Sequence, residues 1–516
     1  MLDPRKTLFH LKSRGRGSQN RQTGFAAQAI SIDDLSRELG RVPVDVIVFE
    51  HMGASSKSSQ SEGSPNHTSG PVHPFPAGEL MPPHRRIAAV LDHLSIKRAH
   101  FAAGLASELL PLVDSAEHRV ASLTLVNPNR LETSSLAGLG NRLTLITGSD
   151  GLPSKVVGQG APSLPDARLL RFDGYYTTTW TDVVQENTDA VVDALVSRDG
   201  DGGVTILPAQ GEVAGEIEGV SFHACGSGQA LVLLPLLLSP SQWESALDVL
   251  ARTFRVIVLG GAHLGMVAML ESRGSEPGYQ RAVGAVFDEL NPGPGQSILE
   301  IGCGTGVLTR WIAHRTRRHN PIIATDLNRF FLAEARVLAD REGFGELVFL
   351  KADAERLPFA DGEFDIAFSS TVMEECDADR MLKEMVRVVN PRGRVGVIVR
   401  AIDMSNVCTI PVDASILERV LTPYQSVIEH GCADASLYRR FLSNGLEDLR
   451  FFPHFLTLRD PYGAAWAYRE SYFLAQFNES ETQAWIAAKS AAIDDGSFLF
   501  ASGLHCAVGT KPGDGK

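Results

Sequence analysis

The stretch SILEIGCGTG at residues 297–306 constrains this chain more than any other. An apolar strand ends at Glu300, and Gly302, Gly304 and Gly306 then permit a tight turn and a close approach of backbone amides to a ligand. A helix beginning just beyond offers free N–H groups and a positive dipole end. The spacing is G-x-G-x-G. A dinucleotide fingerprint read from Gly302 would need its third glycine at Val307, which disfavours NAD. Further features stand in register downstream. PIIATD (321–326) is a strand ending in Asp326, twenty residues past Gly306, where a carboxylate can accept both hydroxyls of a ribose. LKADAERLPFADGEFDIAFSS (350–370) supplies Asp353 after a third strand and then a fourth strand, FDIAFSS. MLKEMVRVVNPRGRVGVIV (381–399) gives an amphipathic helix, a Pro-Arg-Gly turn and a fifth strand.

On these motifs, residues 279–400 resemble class I S-adenosylmethionine-dependent methyltransferases, of the small-molecule type that includes quinone-biosynthesis C-methyltransferases. The resemblance implies a Rossmann-like α/β domain over residues 279–513, with S-adenosyl-L-methionine as cofactor and a small-molecule methyl acceptor. It implies that the loop from Glu300 through Gly302, Cys303 and Gly304 to Gly306 passes the methionine portion of the cofactor. Asp326 would bind the ribose, with Leu327 against the adenine. Asp353 would hydrogen-bond the adenine amino group with Ala354 adjacent, and Ser369 would lie beside the path of the methyl group. Tyr279 is a further candidate, for the methionine carboxylate. Arg392 departs from the P-G-G turn usual in the family. Structural alternatives stay open: the glycines as turn formers, Asp326 as a strand-end cap, Asp353 as a solvated loop acid and Tyr279 as core.

The chemistry asks little of side chains. A sulfonium is already an activated methyl donor, so the protein must place a nucleophile in line and exclude water. A general base is needed only if the acceptor is protonated. Glu374, Glu375, His430 and His454 could serve, and nothing in the sequence selects one. Residues 402–433 and 461–492 carry or flank Tyr424, Tyr438, Trp466, Tyr468, Tyr472 and Trp485, which would form either an apolar lid over the acceptor or ordinary core.

The front half also reads as alternating strands and helices, the pattern of a parallel sheet. Strands are expected at 44–50, 100–103, 122–128, 143–148 and 167–172, with a Ser/Gly/Pro-rich loop at 51–76 and helices at 84–95, 105–113 and 180–196. After the linker RDGDGG (198–203) come two strands within 215–226, another at 230–235, a helix at 240–253 and a strand at 254–261. SRGSEPG (272–278) reads as a break before a helix at 279–290. RAHFAAGLASELL (98–110) has the shape of the strand–turn–helix that carries an esterase's nucleophilic serine, but Leu105 occupies the tip. Ser107 lies two positions on and reads as structural. Asp150 could be the remnant of the triad acid, yet no histidine occurs between His118 and His223. Acyl-transfer chemistry therefore has neither nucleophile nor base.

Residues 33–197 nonetheless resemble the later part of the α/β-hydrolase superfamily, carried by VDVIVFEHMGAS, LSIKRAHFAAGLASELL, RVASLTLVNP and LPDARLLRF. Residues 205–275 resemble its missing opening strands, in GVSFHACGSGQALVLLP and FRVIVLGGAHLG, with Pro235-Leu236 in place of the usual His-Gly. The expectation is a degenerate hydrolase-like domain whose two segments form one sheet in permuted order, because a three-strand fragment alone leaves an exposed edge and too little core.

Composition narrows the rest. At 516 residues, two or three domains are expected. A net charge of −13 disfavours a nucleic-acid partner, since phosphates need clustered cations. The most apolar run, residues 230–238, is about half the ~20 residues of a membrane span, and Pro235 interrupts it. Six scattered cysteines without a C-x-x-C pair fit a reducing, cytoplasmic setting and give no metal-site spacing. Residues 1–32 read as a disordered basic arm. The expected protein is thus a small-molecule methyltransferase with an inert front region that shields the acceptor site, mediates homo-oligomerisation or binds a partner. The alternative is a cofactor-binding regulatory or scaffold protein without turnover.

Overall fold

The computed structural model describes residues 82–113, 119–177, 182–197, 202–209, 211–425, 427–474 and 476–513. The basic arm, the strand expected at 44–50 and the loop that follows it lie outside the described residues. All described residues fall within one compact unit, Thr68–Lys516.

The front strands are β1 (Ala99–Ala103), β2 (Val120–Val126), β3 (Leu143–Gly151), β4 (Arg168–Thr177), β5 (Ile206–Leu207), β6 (Val213–Ile217), β7 (Val220–Gly226), β8 (Gly228–Leu233) and β9 (Phe254–Gly260). They form one sheet in the order β4-β3-β2-β1-β8-β9-β7-β6, with β5 on β8. The join is parallel: His100, Phe101 and Ala102 of β1 face Leu231, Val232 and Leu233 of β8. The two segments on either side of the 198–203 linker therefore share a sheet, as their sequence pattern requires. β1, β2 and β9 are buried throughout, which explains their continuous apolar runs.

The helices that matter below are α1 (Pro83–His93), α2 (Leu110–Val113), α3 (Thr188–Val196), α4 (Glu244–Leu250), α5 (Gly265–Ser275), α6 (Pro277–Leu290), α7 (Val307–Arg315), α8 (Arg329–Arg341), α9 (Ala378–Val388), α10 (Ala464–Leu474) and α11 (Glu479–Asp494). Several differ from the sequence expectation. The helix expected at 105–113 is only α2, and Glu108 ahead of it accepts through Oε1 from the Gly265 amide at 2.9 Å. The helix expected at 180–196 breaks at Asn187 into Val183–Glu186 and α3. That expected at 240–253 is a 3-10 turn, Pro240–Trp243, followed by α4. The break read at 272–278 is not a linker. α5 and α6 meet there with only Glu276 between them, and Pro277 occupies the first turn of α6, where its missing N–H costs nothing.

The second sheet comprises β10 (Ile298–Ile301), β11 (Ile322–Asp326), β12 (Val348–Lys351), β13 (Phe364–Ser370), β14 (Val389–Arg400), β15 (Val407–Cys408), β16 (Glu447–Leu458) and β17 (Phe500–Thr510). Its order is β12-β11-β10-β13-β14-β17-β15, with β16 on β17. β10 to β14 are parallel and β17 is antiparallel. Sequence order reverses beside β10, which marks the carboxyl ends of β10, β11 and β13 as the ligand crevice of such a sheet. Ile298 and Ile301 of β10 pack into apolar clusters on opposite faces. α9 buries Met381, Leu382, Met385 and Val388 along one stripe against the second of these clusters.

Candidate functional site: a glycine loop facing a strand-end carboxylate

At the end of β10 the chain takes left-handed turns at Gly302, Gly304 and Gly306, with φ of 73°, 54° and 72°. A Cβ on Gly302 would lie 2.1 Å from Val372 Cγ2, and one on Gly306 would lie 2.8 Å from Phe349. Conformation and space thus both demand glycine here. The Gly302 and Cys303 amides donate to the Thr325 carbonyl at 2.7 and 2.9 Å, stitching the loop to β11. The back of the loop is anchored from outside. Glu271 of α5 accepts from Thr305 Oγ1 and from Arg310 Nη2, while Arg310 Nη1 donates to the Thr305 carbonyl at 2.9 Å.

Asp326 ends β11. Its Oδ2 accepts from the Gly304 amide at 2.8 Å and its Oδ1 from the Asn328 amide at 2.8 Å. Each carboxylate oxygen keeps a second lone pair, so both remain able to accept from a diol. Burial raises the Asp326 pKa, the two amides oppose the rise, and Glu375 adds to it. Glu300 is 2% exposed and accepts from Thr309 Oγ1, and burial pushes its pKa up to about 8. Leu327 is 64% exposed beside Asp326, an apolar surface open to a flat ring. Asp353 is exposed, with Oδ1 accepting from the Glu355 amide at 2.9 Å, and Ala354 beside it is half-buried.

Other candidates point inward. Ser369 is buried and donates to the Ile301 carbonyl at 2.8 Å, tying β13 to β10. Tyr279 is buried, its hydroxyl 2.6 Å from Ser370 Oγ, while Arg273 lies over its ring at 5.3 Å. Cys303 is buried and its thiol pKa is pushed well up by that burial. Of the four bases left open, Glu374 is buried and accepts from the Arg400 amide at 2.6 Å, and His430 is exposed. His454 is half-buried on β16, and Glu375 is near enough to Asp326 to raise its pKa. The aromatics divide: Trp466 and Trp485 are fully buried and stacked, so they are core. Tyr424, Tyr468 and Tyr472 gather into one group, with ring centroids 4.2 Å apart for Tyr424 and Tyr472 and 5.1 Å for Tyr468 and Tyr472. Three arginines near this group, Arg273, Arg400 and Arg469, were not singled out from sequence. Arg469 sits in AYRESYF, where a cation among tyrosines was the available signal.

A parallel sheet whose first strand ends in a glycine loop and whose second ends in a carboxylate has the topology of a Rossmann-like α/β domain. Residues 298–393 match the family model described as a methyltransferase domain. The chain is 37% identical over 103 residues to a ubiquinone/menaquinone biosynthesis C-methyltransferase UbiE of Idiomarina loihiensis, which covers 20% of this chain and 41% of that protein. It is 31% identical over 120 residues to the methyltransferase GfsG of Streptomyces halstedii, covering 23% of this chain and 42% of that protein. The chain thus spans about two fifths of the length of these relatives. Solved structures similar to it include the YcgJ protein of Bacillus subtilis, at 20% identity and a TM-score of 0.33 over 45% of this chain and 98% of that one. Another is a phosphoethanolamine N-methyltransferase of Haemonchus contortus in complex with S-adenosyl-L-methionine, at 14% identity and a TM-score of 0.33 over 84% of this chain and 99% of that one. Among the described residues, no helix is long and apolar enough to cross a membrane.

Proposed function

We propose that this chain is an S-adenosyl-L-methionine-dependent methyltransferase acting on a small-molecule acceptor. The observation that carries this reading is the link from Asp326 at the end of β11 to the Gly304 amide at 2.8 Å, which fixes a diol-accepting carboxylate against a loop with no room for a Cβ at Gly302 or Gly306. The residues fit the cofactor. Asp326 holds the ribose hydroxyls, Leu327 and Ala354 flank the adenine, and Asp353 accepts from its amino group. Glu300, Gly302, Cys303, Gly304 and Gly306 line the methionine side. When bound, the cofactor supplies an activated methyl group on a sulfonium. The chain's own part is to orient the acceptor and keep water out. The test is formation of S-adenosylhomocysteine from labelled cofactor across a panel of phenolic, amine and carboxylate acceptors. Turnover with at least one class supports the reading, and binding without turnover across the panel would contradict it.

The front sheet, on this reading, is an α/β-hydrolase-like domain in permuted order that has lost its chemistry and buttresses the cofactor site. Leu105, at the tip of the would-be elbow, packs against a cluster of Leu237, Leu238, Met266, Phe330 and Phe331. A Cβ on Gly104 would fall 1.7 Å from the Leu236 carbonyl oxygen, so backbone fills the space beside the elbow. Asp150 is exposed and accepts from the neighbouring Gly151 amide. Phe330 and Phe331 begin α8, the helix that follows Asp326, so the front sheet and the ribose strand share this contact. Arg329 adds an ion pair to Asp182 at 2.9 Å.

A further inference from the structure

Arg469 is a cation on the side of the fold facing the proposed crevice. It is half-buried on α10, and its guanidinium makes no hydrogen bond or ion pair with any described residue. Other arginines on this side are matched: Arg310 pairs with Glu271, and Arg400 lies 3.5 Å from Glu374. The charges of two more guanidinium groups, Arg273 and Arg400, and the phenols of Tyr468 and Tyr472 act on Arg469, while Glu375 acts on Tyr468 in the same group. Burial and the two like charges lower its pKa. A cation held among cations, without a carboxylate, destabilises a fold unless something else satisfies it.

The elements explain how the three arginines meet. The Ala465 amide at the start of α10 donates to Ser272 Oγ of α5 at 3.2 Å, which puts Arg273 next to the α10 contact. Arg273 then lies over Tyr279, whose hydroxyl reaches Ser370 at the end of β13. Arg400 is the last residue of β14, the neighbour of β13, and lies 5.7 Å from the centre of the Tyr424 ring. Tyr424 lies against Tyr472, ring centroids 4.2 Å apart and tilted by 33°, one turn from Arg469 on α10. The cluster therefore stands over the carboxyl ends of β13 and β14, beside the proposed cofactor crevice. Glu374 pairs with Arg400 at 3.5 Å, and Glu375 acts on Tyr468.

We propose that Arg469, flanked by Arg273 and Arg400, receives an anionic oxygen group, carboxylate or phosphate, carried by the methyl acceptor. The planar guanidinium fork suits both groups, and the Tyr424–Tyr468–Tyr472 group supplies ring faces for the acceptor's body. The assignment rests on the methyltransferase reading. The other source of such a group is the methionine carboxylate of the cofactor itself, and the two predict different mutant behaviour.

The test uses the full chain as wild type, Arg469→Leu and Arg469→Lys. Inorganic phosphate and benzoate are titrated calorimetrically with and without S-adenosylhomocysteine, and S-adenosylmethionine is titrated separately. The expected result is millimolar binding of at least one probe by wild type, at least tenfold weaker in Arg469→Leu and intermediate in Arg469→Lys. Affinity for S-adenosylmethionine should stay within twofold. Because an unmatched charge is removed, Arg469→Leu should melt no lower than wild type. No probe binding by wild type, equal probe binding by Arg469→Leu, or a lower melting temperature in that variant would each overturn the proposal. A tenfold loss of S-adenosylmethionine affinity would overturn it in favour of the cofactor's carboxylate. Wild type that binds a probe but not S-adenosylmethionine would refute the methyltransferase reading and leave the anion site standing.

Discussion

Replacing Glu300 with Gln separates the charge of the site from its shape. Glu300 is 2% exposed and accepts from Thr309, and burial raises its pKa to about 8, with nearby Asp326 adding to the rise. In the unfolded chain a glutamate titrates near about 4.3. The folded state thus keeps a proton that the unfolded state releases as pH rises. The stability this confers is full below about pH 4.3 and is lost progressively until the pH passes the folded value of about 8. At ~1.36 kcal/mol per pKa unit, the part falling between pH 6 and pH 9 is about 3 kcal/mol. Gln fills the same space and does not titrate, so other groups cancel when the two proteins are compared. Urea denaturation at unit pH steps from 6 to 9 should show wild type losing about 3 kcal/mol more than Glu300→Gln. Parallel pH profiles would refute the claim that Glu300 is protonated in the fold at neutral pH.

Two further substitutions probe the loop and its support. Gly302→Ala forces a left-handed residue and a Cβ 2.1 Å from Val372, so a loss of about 2–4 kcal/mol is expected in urea, with weakened cofactor binding; an unchanged midpoint would contradict this. Phe331→Ala removes a side chain only 5% exposed between α8 and the front sheet, and should cost about 3–5 kcal/mol. A change below about 1 kcal/mol in the same assay would mean that the contact is not packed as described.

The glycine loop, Asp326 and most strands of both sheets were legible because their signals are local: short apolar runs, and glycines where φ is positive. The joint front sheet was legible for a different reason, since neither segment can cover its own edges. What failed was punctuation that packing reuses. Gly274 and Gly278 read as a linker, yet Cβ atoms there would meet Val307 at 2.4 Å and Thr457 at 2.1 Å, so these glycines let helices approach their neighbours. β16 was missed because much of its length is exposed or half-buried and it contains Pro453, leaving no apolar run to read. Trp466 and Trp485 proved to be core while three tyrosines gathered near the site, a division that composition does not reveal. The arginine cluster was beyond reach for the same reason, because Arg273, Arg400 and Arg469 come from three distant segments that only the fold assembles.

The central claim is that the loop at 300–306 and Asp326 together hold S-adenosyl-L-methionine. Calorimetric titration of that cofactor into wild type, with Asp326→Ala as the control, tests it most directly. Micromolar binding by wild type, lost at least a hundredfold in Asp326→Ala, is the predicted result. A well-folded wild type that takes up no cofactor, or a variant that binds as tightly as wild type, would contradict it.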